Sequence, residues 1–181
     1  MQPKQDLLAK VLQYKRWLII GGGVIVLLFI VSLFFQGGPS AQERAINVQD
    51  RILKLQEFIA ANRSSITTTA LANQSANAAV ILSGASSSIQ KLNETIGAKA
   101  TNEAKKQNAA RLAEFKIRMT TAKEANTFEL RYRQTLVDEL KAIAVQAAAL
   151  ARSTNESIKT TFTQVYSNLN TAQTDLAKIE L

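Results

Sequence analysis

Apolar residues follow one another without interruption in an early stretch of the chain. Residues 17–35 carry no charge, and Ser32 is their one polar side chain. A helix over this stretch would be about 28 Å long at about 1.5 Å per residue, close to the roughly 30 Å hydrocarbon thickness of a bilayer. A soluble helix that is apolar on every side needs a larger protein around it than 181 residues provide. The pattern therefore predicts a transmembrane helix over 17–35.

The residues that flank this stretch predict its orientation. Four basic residues and one acid precede it, and they form a short basic amphipathic segment over 1–16. Basic flanks stay on the cytoplasmic side, so we expect the N-terminus inside and the bulk of the chain outside the membrane. A Gly/Pro linker follows at 36–39. The expected membrane anchor consists of residues at the two ends of the span: Lys15, Arg16, Trp17, Phe34 and Phe35.

A cleaved signal peptide is the competing interpretation, because it also joins a basic start to an apolar run. The apolar region of a signal peptide is usually about 7–15 residues long and ends at a small-x-small cleavage site. The run at 17–35 is longer, and the residues after it show no convincing site of that kind. We therefore favour an uncleaved anchor.

From residue 40 onward the apolar positions recur at the three–four spacing of helices, and strand patterns are almost absent. Ser40 with Glu43 and Ser153 with Glu156 have the spacing of capping boxes, and Gly97 suits a helix end. These signals predict four helices, over 40–62, 64–96, 101–152 and 154–181. The expected fold is all-α: a single transmembrane helix, then an extracytoplasmic bundle of long helices over 40–181 that resembles an antiparallel coiled coil.

Two details of this helix assignment stay open. The sequence does not decide whether 40–62 and 64–96 form one helix or two. In the middle of 101–152, polar residues occupy the apolar stripe, so the apolar face drifts or the helix bends there; they are Asn126, Glu129 and Arg133.

The last predicted helix has the most regular apolar spacing in the chain. Its candidate interaction seam consists of Ile158, Phe162, Val165, Leu169, Leu176 and Ile179. Such four–three spacing is typical of a helix that packs along another helix. Residues 64–90 carry no charge and many small side chains, which suits close packing between helices or against a second copy.

Missing residue types exclude several kinds of chemistry. The chain contains no His and no Cys, which excludes zinc sites built from imidazole or thiolate, His-based triads, Cys nucleophiles and disulfides. The one adjacent acid pair, Asp138 and Glu139, occupies helical positions that do not face each other, and we expect these acids to be solvated. We expect no enzymatic activity, no catalytic residue, no metal and no cofactor.

The basic residues of 99–133 are the main charge feature in a chain of net charge +8. On a helix, Lys105 and Lys116 would lie along one row and Arg111 and Arg118 along another, with the apolar stripe between them. Flanking positions of a packed helix look like this, whereas a polyanion site needs bases that converge on one exposed face. We favour solvated flanks; the candidate polyanion contacts are Lys105, Lys106, Arg111, Lys116 and Arg118.

Two functions fit these observations. The first is a single-pass, membrane-anchored scaffold that acts outside the cytoplasmic membrane through apolar helical seams, with a protein partner or further copies of itself. The alternative is a sensor-like extracytoplasmic module that binds a ligand or an anionic surface polymer; nucleic acid is not an expected partner. In general build the chain resembles small bitopic proteins such as bacterial division scaffolds, and the helical sensor halves of chemoreceptors, but no residue motif supports either likeness.

Overall fold

The computed structural model describes residues 40–98 and 102–181, and every regular element in them is helical. The five α-helices of these residues are α1 (Ala41–Asn62), α2 (Thr69–Ile96), α3 (Asn102–Glu124), α4 (Phe128–Leu150) and α5 (Glu156–Ala177). A short 3-10 helix, Arg63–Ser65, follows α1. The prediction of an all-α bundle is confirmed for this part of the chain.

The predicted membrane segments lie outside the described residues. They comprise the basic segment 1–16, the span 17–35 with its anchor residues Lys15, Arg16, Trp17, Phe34 and Phe35, and the linker up to residue 39. Within 40–98 and 102–181, no helix combines the length and the apolar character that crossing a bilayer requires.

Four of the helices form a closed ring. Along this ring α1 packs on α2, α2 on α5, α5 on α4 and α4 back on α1. Neighbours in the ring run antiparallel; for example, the Gln42 side chain near the start of α1 donates to the Ile96 carbonyl at the end of α2. Helix α3 lies outside the ring and packs against α1 and α4. The architecture is therefore a four-helix ring with a fifth helix on one side.

The core of the ring is built from aliphatic side chains with an aromatic group near one end. Ile52, Leu82, Leu140 and Leu169 are fully buried, each from a different helix of the ring. Burying a side chain of this size contributes about 1.5–3 kcal/mol. Phe58 of α1 stacks on Tyr132 of α4 with ring centroids 5.3 Å apart. The apolar spacing of the sequence thus becomes one continuous core.

The prediction of a single helix over 101–152 is wrong. Helix α3 ends at Glu124 and α4 begins at Phe128, because the chain reverses at Asn126, whose φ of 54° is left-handed. Asn is one of the few residues that adopt this conformation readily. The amide of Thr127 donates to the Ala122 carbonyl (2.9 Å) and that of Asn126 to the Lys123 carbonyl (3.2 Å). This is the Schellman pattern that ends helices.

The other predicted boundaries are close to those observed, with two corrections. The capping box of Ser40 and Glu43 forms with both of its hydrogen bonds, and Gly97 ends α2 with a φ of 65°. At the start of α5, however, Asn155 and not Ser153 is the N-cap; its side chain accepts from the Ile158 amide at 3.1 Å. The segment at 64–68 does not belong to α2, which begins at Thr69, so α1 and α2 are two helices.

Candidate functional site

The interaction seam predicted on the last helix lies inside the bundle. All of its members are buried, with no more than 9% of any residue exposed: Ile158, Phe162, Val165, Leu169, Leu176 and Ile179. They belong to one core with the other helices of the ring, and α5 packs on α2 and α4. The regular spacing correctly marked a packed helix, but the helices it packs against belong to the same chain. A partner has to bind elsewhere on the bundle.

One candidate surface is the outer side of α2 and α5. Residues 64–90 contain no charged side chain, and neither do residues 160–174. Because α2 and α5 pack side by side, the fold joins these two segments into one surface, which we call the uncharged face. Its exposed residues are Ser, Thr, Asn, Gln, Ala and Gly, with Val80 and Tyr166 as larger members. The sequence pattern marked residues 64–90 as uncharged, but it did not indicate that residues 160–174 lie beside them.

Val80 and Gly84 occupy the middle of the uncharged face, one helical turn apart. Val80 is 71% exposed, the highest value among the large hydrophobic residues that the structure describes. A Cβ added at Gly84 would meet nothing within 4 Å, so packing within the chain does not require glycine there. Glycine inside a helix costs about 1 kcal/mol relative to alanine. Packing within the chain therefore does not account for glycine at position 84, and Val80 exposes an apolar side chain beside it.

A buried ion pair crosses from α1 to α4. Arg51 donates through Nε (3.0 Å) and Nη2 (2.9 Å) to one oxygen of Glu139, and Arg111 of α3 donates to the other at 3.1 Å. Burial lowers the pKa of Arg51, and the neighbouring Glu139 carboxylate opposes that effect. Glu139 is buried, which corrects the prediction of a solvated acid. Both of its oxygens accept from arginine, so the group joins helices and is not a free acid or base.

A second polar cluster fastens the connection between α1 and α2 to the start of α4. One oxygen of Glu129 accepts from the Thr67 amide, the Thr67 hydroxyl (2.8 Å) and the Thr68 amide (2.9 Å). The other oxygen accepts from the Thr68 hydroxyl at 2.5 Å. Burial acts to raise the pKa of Glu129, but these hydrogen bonds outweigh it and lower the pKa to about 2.

The Glu129 cluster borders an open hollow of about 710 Å³. Lys123, Phe128, Leu130 and Leu181 also line it, and the Lys123 ammonium lies 5.0 Å from the centre of the Phe128 ring. Both Glu129 oxygens already accept hydrogen bonds within the chain, so this carboxylate is satisfied without a ligand.

The candidate polyanion contacts, all of which lie on α3, fall into two groups. Lys105, Lys106 and Lys116 are exposed, and the ion pairs of the described residues include none of them. Arg111 pairs with Glu139, and Arg118 pairs with Glu114 at 2.8 Å. Among the described residues, three of the five candidates are thus exposed lysines outside the ion pairs, and the two arginines belong to ion pairs.

Comparison of the chain with protein-family models, with curated proteins and with solved structures finds no match. In the part of the chain that the structure describes, no group of three or more acidic, His or Cys side chains could hold a metal ion. Function has to be argued from the surface of the bundle.

Proposed function

We propose that this chain is a single-pass membrane protein whose helical bundle lies outside the cytoplasmic membrane and associates with further copies of itself, without catalysing a reaction. The observation that carries this proposal is the uncharged face on α2 and α5. It replaces the seam on α5 as the interaction surface, because the seam is buried within the bundle.

The composition of the uncharged face favours a protein interface. The centres of protein interfaces are depleted in charged residues, and in this face two neighbouring helices lack them over most of their length. Elsewhere α1, α3 and α4 carry acids and bases along their exposed sides. This contrast in charge between the face and the other helices is the pattern expected of a surface that another protein covers.

A second copy of the chain is the partner that the face fits best. In a two-fold dimer the same patch meets itself, so a charged patch would repel its copy and an uncharged one does not. Two adjacent helices about 30 Å long present roughly 600 Å², close to the roughly 800 Å² per partner of a standard interface. Anchors in one membrane also raise the effective concentration of the copies, which helps a modest interface.

The test compares two exposed valines in the full-length chain, reconstituted in lipid nanodiscs or mild detergent. Val80 lies on the uncharged face, and Val145 of α4, which is 64% exposed, lies on a ring helix outside that face. We expect light scattering to give a dimer for the wild type and for Val145→Glu, and a monomer for Val80→Glu. A monomeric wild type, or a dimer that survives Val80→Glu, would contradict the proposal. Unchanged circular dichroism shows that each variant is folded.

The exposed lysines of α3 support a second proposal, that the bundle binds an anionic surface polymer. Lys105 and Lys116 lie on one edge of α3, and Lys106 is exposed nearby. Contacts between lysine and polymer weaken steeply as salt is added, whereas an apolar contact does not. If Lys105→Glu with Lys106→Glu left the binding of an anionic polymer such as dextran sulfate unchanged, this second proposal would be wrong.

A further inference from the structure

Helix α3 is attached to the bundle differently from the other four helices. It packs against α1 and α4, and these two helices also contact each other directly. Arg51 pairs with Glu139 and Phe58 stacks on Tyr132, both between α1 and α4. The four-helix ring is therefore closed without α3.

The buried apolar contacts of α3 begin near the middle of the helix, at Leu112, and continue towards its end. They are made by Leu112, Phe115, Met119 and Ala122, each of which keeps 3–7% of its surface exposed. Core residues of the ring such as Leu92 and Ala144 have similar values (5% each). However, every helix of the ring also carries apolar residues at 0% exposure, such as Ile52 and Leu140, and α3 carries none in its described residues. Phe115 meets the edge of Phe58 with centroids 5.3 Å apart. Helix α3 thus lies on the rim of the core.

Polar contacts hold the first half of α3. Asn108 is the first buried residue of α3, one helical turn before Leu112. Its amide nitrogen donates to the Asn47 side chain (2.9 Å) and to Asp50 (2.8 Å) on α1, and Arg111 donates to Glu139. Water can replace hydrogen bonds of this kind at small net cost when the helix leaves, because the freed groups become solvated.

Left-handed residues also separate α3 from its neighbours along the chain. Gly97 ends α2 with a φ of 65°, and Asn126 lies between α3 and α4 with a φ of 54°. Neither α2 nor α4 therefore continues into α3. Segments with few buried apolar contacts open locally at lower free energy than the core to which they are attached.

We propose that α3 is a detachable strap. It leaves the groove between α1 and α4 while the four-helix ring stays folded, and it uncovers Phe58 together with the Arg51–Glu139 pair. In its docked position α3 keeps that groove closed, so its release is a switch between a covered and an open groove.

Hydrogen exchange of the full-length chain in nanodiscs, followed by mass spectrometry, tests this proposal. We expect the amides of α3 to exchange faster than those of α1, α4 and α5. Leu112→Ala should accelerate exchange in α3 by at least about tenfold and leave α5 unchanged, because it weakens docking alone. Leu169→Ala, inside the ring, should accelerate exchange in all four helices of the ring. If α3 exchanged in step with the ring, or if Leu112→Ala acted on every helix equally, α3 would be an integral part of the fold and the proposal would be wrong.

A reversible cross-link gives a second readout. The chain contains no Cys, and the side chains of Asn47 and Asn108 touch across the α1–α3 contact. In an Asn47→Cys, Asn108→Cys variant, a short thiol cross-linker should slow exchange in α3 to the level of the ring, and cleaving the linker should restore it. If the exchange rate of the α3 amides were the same with and without the cross-link, the proposal would be wrong.

Discussion

The polar residues that interrupt the apolar stripe of the sequence each have a structural task. Asn126 turns the chain between α3 and α4, Glu129 fastens the residues that precede α2, and Arg133 donates to the Ile179 carbonyl after α5. The sequence predicted that something changes at these positions, because they break a regular pattern. It could not predict the partners of Glu129 and Arg133, which lie 61–62 and 46 residues away along the chain.

Glu129→Gln should destabilise the bundle by about 1–2 kcal/mol near neutral pH, because it removes a charged acceptor from the Thr67 and Thr68 groups. The folded pKa of about 2 lies below the ordinary value of 4.5. The stabilisation by Glu129 is therefore complete above about pH 4.5 and is lost as the pH falls towards 2. Urea unfolding of wild type and variant at several pH values measures this.

Glu124→Gln is the matched control, since Glu124 is an exposed acid at the end of the neighbouring helix. It should change stability by less than about 0.5 kcal/mol. The free energy of unfolding of the wild type should approach that of Glu129→Gln as the pH falls towards 2. If the difference between the two stayed constant from neutral pH down to pH 2, Glu129 would not be the group whose protonation weakens the bundle.

The buried pair of Arg51 and Glu139 shows a limit of prediction at this scale. Each residue lies on a helix whose apolar stripe can be recognised in the sequence. The spacing along one helix, however, predicts neither that α1 packs against α4 nor how far the two helices are shifted along their axes. Only the assembled ring brings the two side chains within 2.9 Å.

At the scale of elements, helix existence was predictable and chain reversal was not. The three–four spacing gave helices wherever the structure has them, and Gly97 marked one end correctly. Between α3 and α4 the reversal depends on one residue, Asn126, in a stretch without Gly or Pro. Asparagine in a sequence is a weaker signal of a helix end than glycine, because asparagine also occurs on the exposed faces of helices.

Two substitutions at Asn126 distinguish a turn from a continuous helix. Asn126→Ala should destabilise the bundle by about 1 kcal/mol, since alanine pays the steric cost of the left-handed conformation. Asn126→Gly should keep or raise the stability, because glycine is the preferred residue at this position of a helix end. Thermal unfolding of both variants measures this. In a continuous helix the order would be reversed, with alanine the more stable variant.

For the whole molecule, the class of fold followed from the sequence, but the roles of its surfaces did not. A regular seam indicates that a helix is packed and does not tell whether the partner lies in the same chain. The six predicted seam residues, five on α5 and Ile179 just after it, proved to be core, whereas the uncharged face emerged once α2 and α5 were placed together.

The proposed orientation in the membrane can be measured with single cysteines, since the chain has none of its own. A thiol at Ser157→Cys, which is exposed on α5, should react in intact cells with a reagent that cannot cross the membrane. A thiol at Gln2→Cys should react only after permeabilisation, because the basic segment 1–16 is expected inside. Labelling of Gln2→Cys alone in intact cells would mean that the chain has the opposite orientation.

The chain reversal at Asn126 also gives the bundle an odd number of long helices, five instead of the four predicted. Four antiparallel helices would return the chain to the pole at which it entered, but the described residues contain five helices, three of which run away from Ser40. Ser40 and Leu181 therefore lie at opposite poles, a full helix length of about 33 Å apart. The bundle is thus a spacer: a probe attached at Leu181 lies about that distance from a probe attached at Ser40.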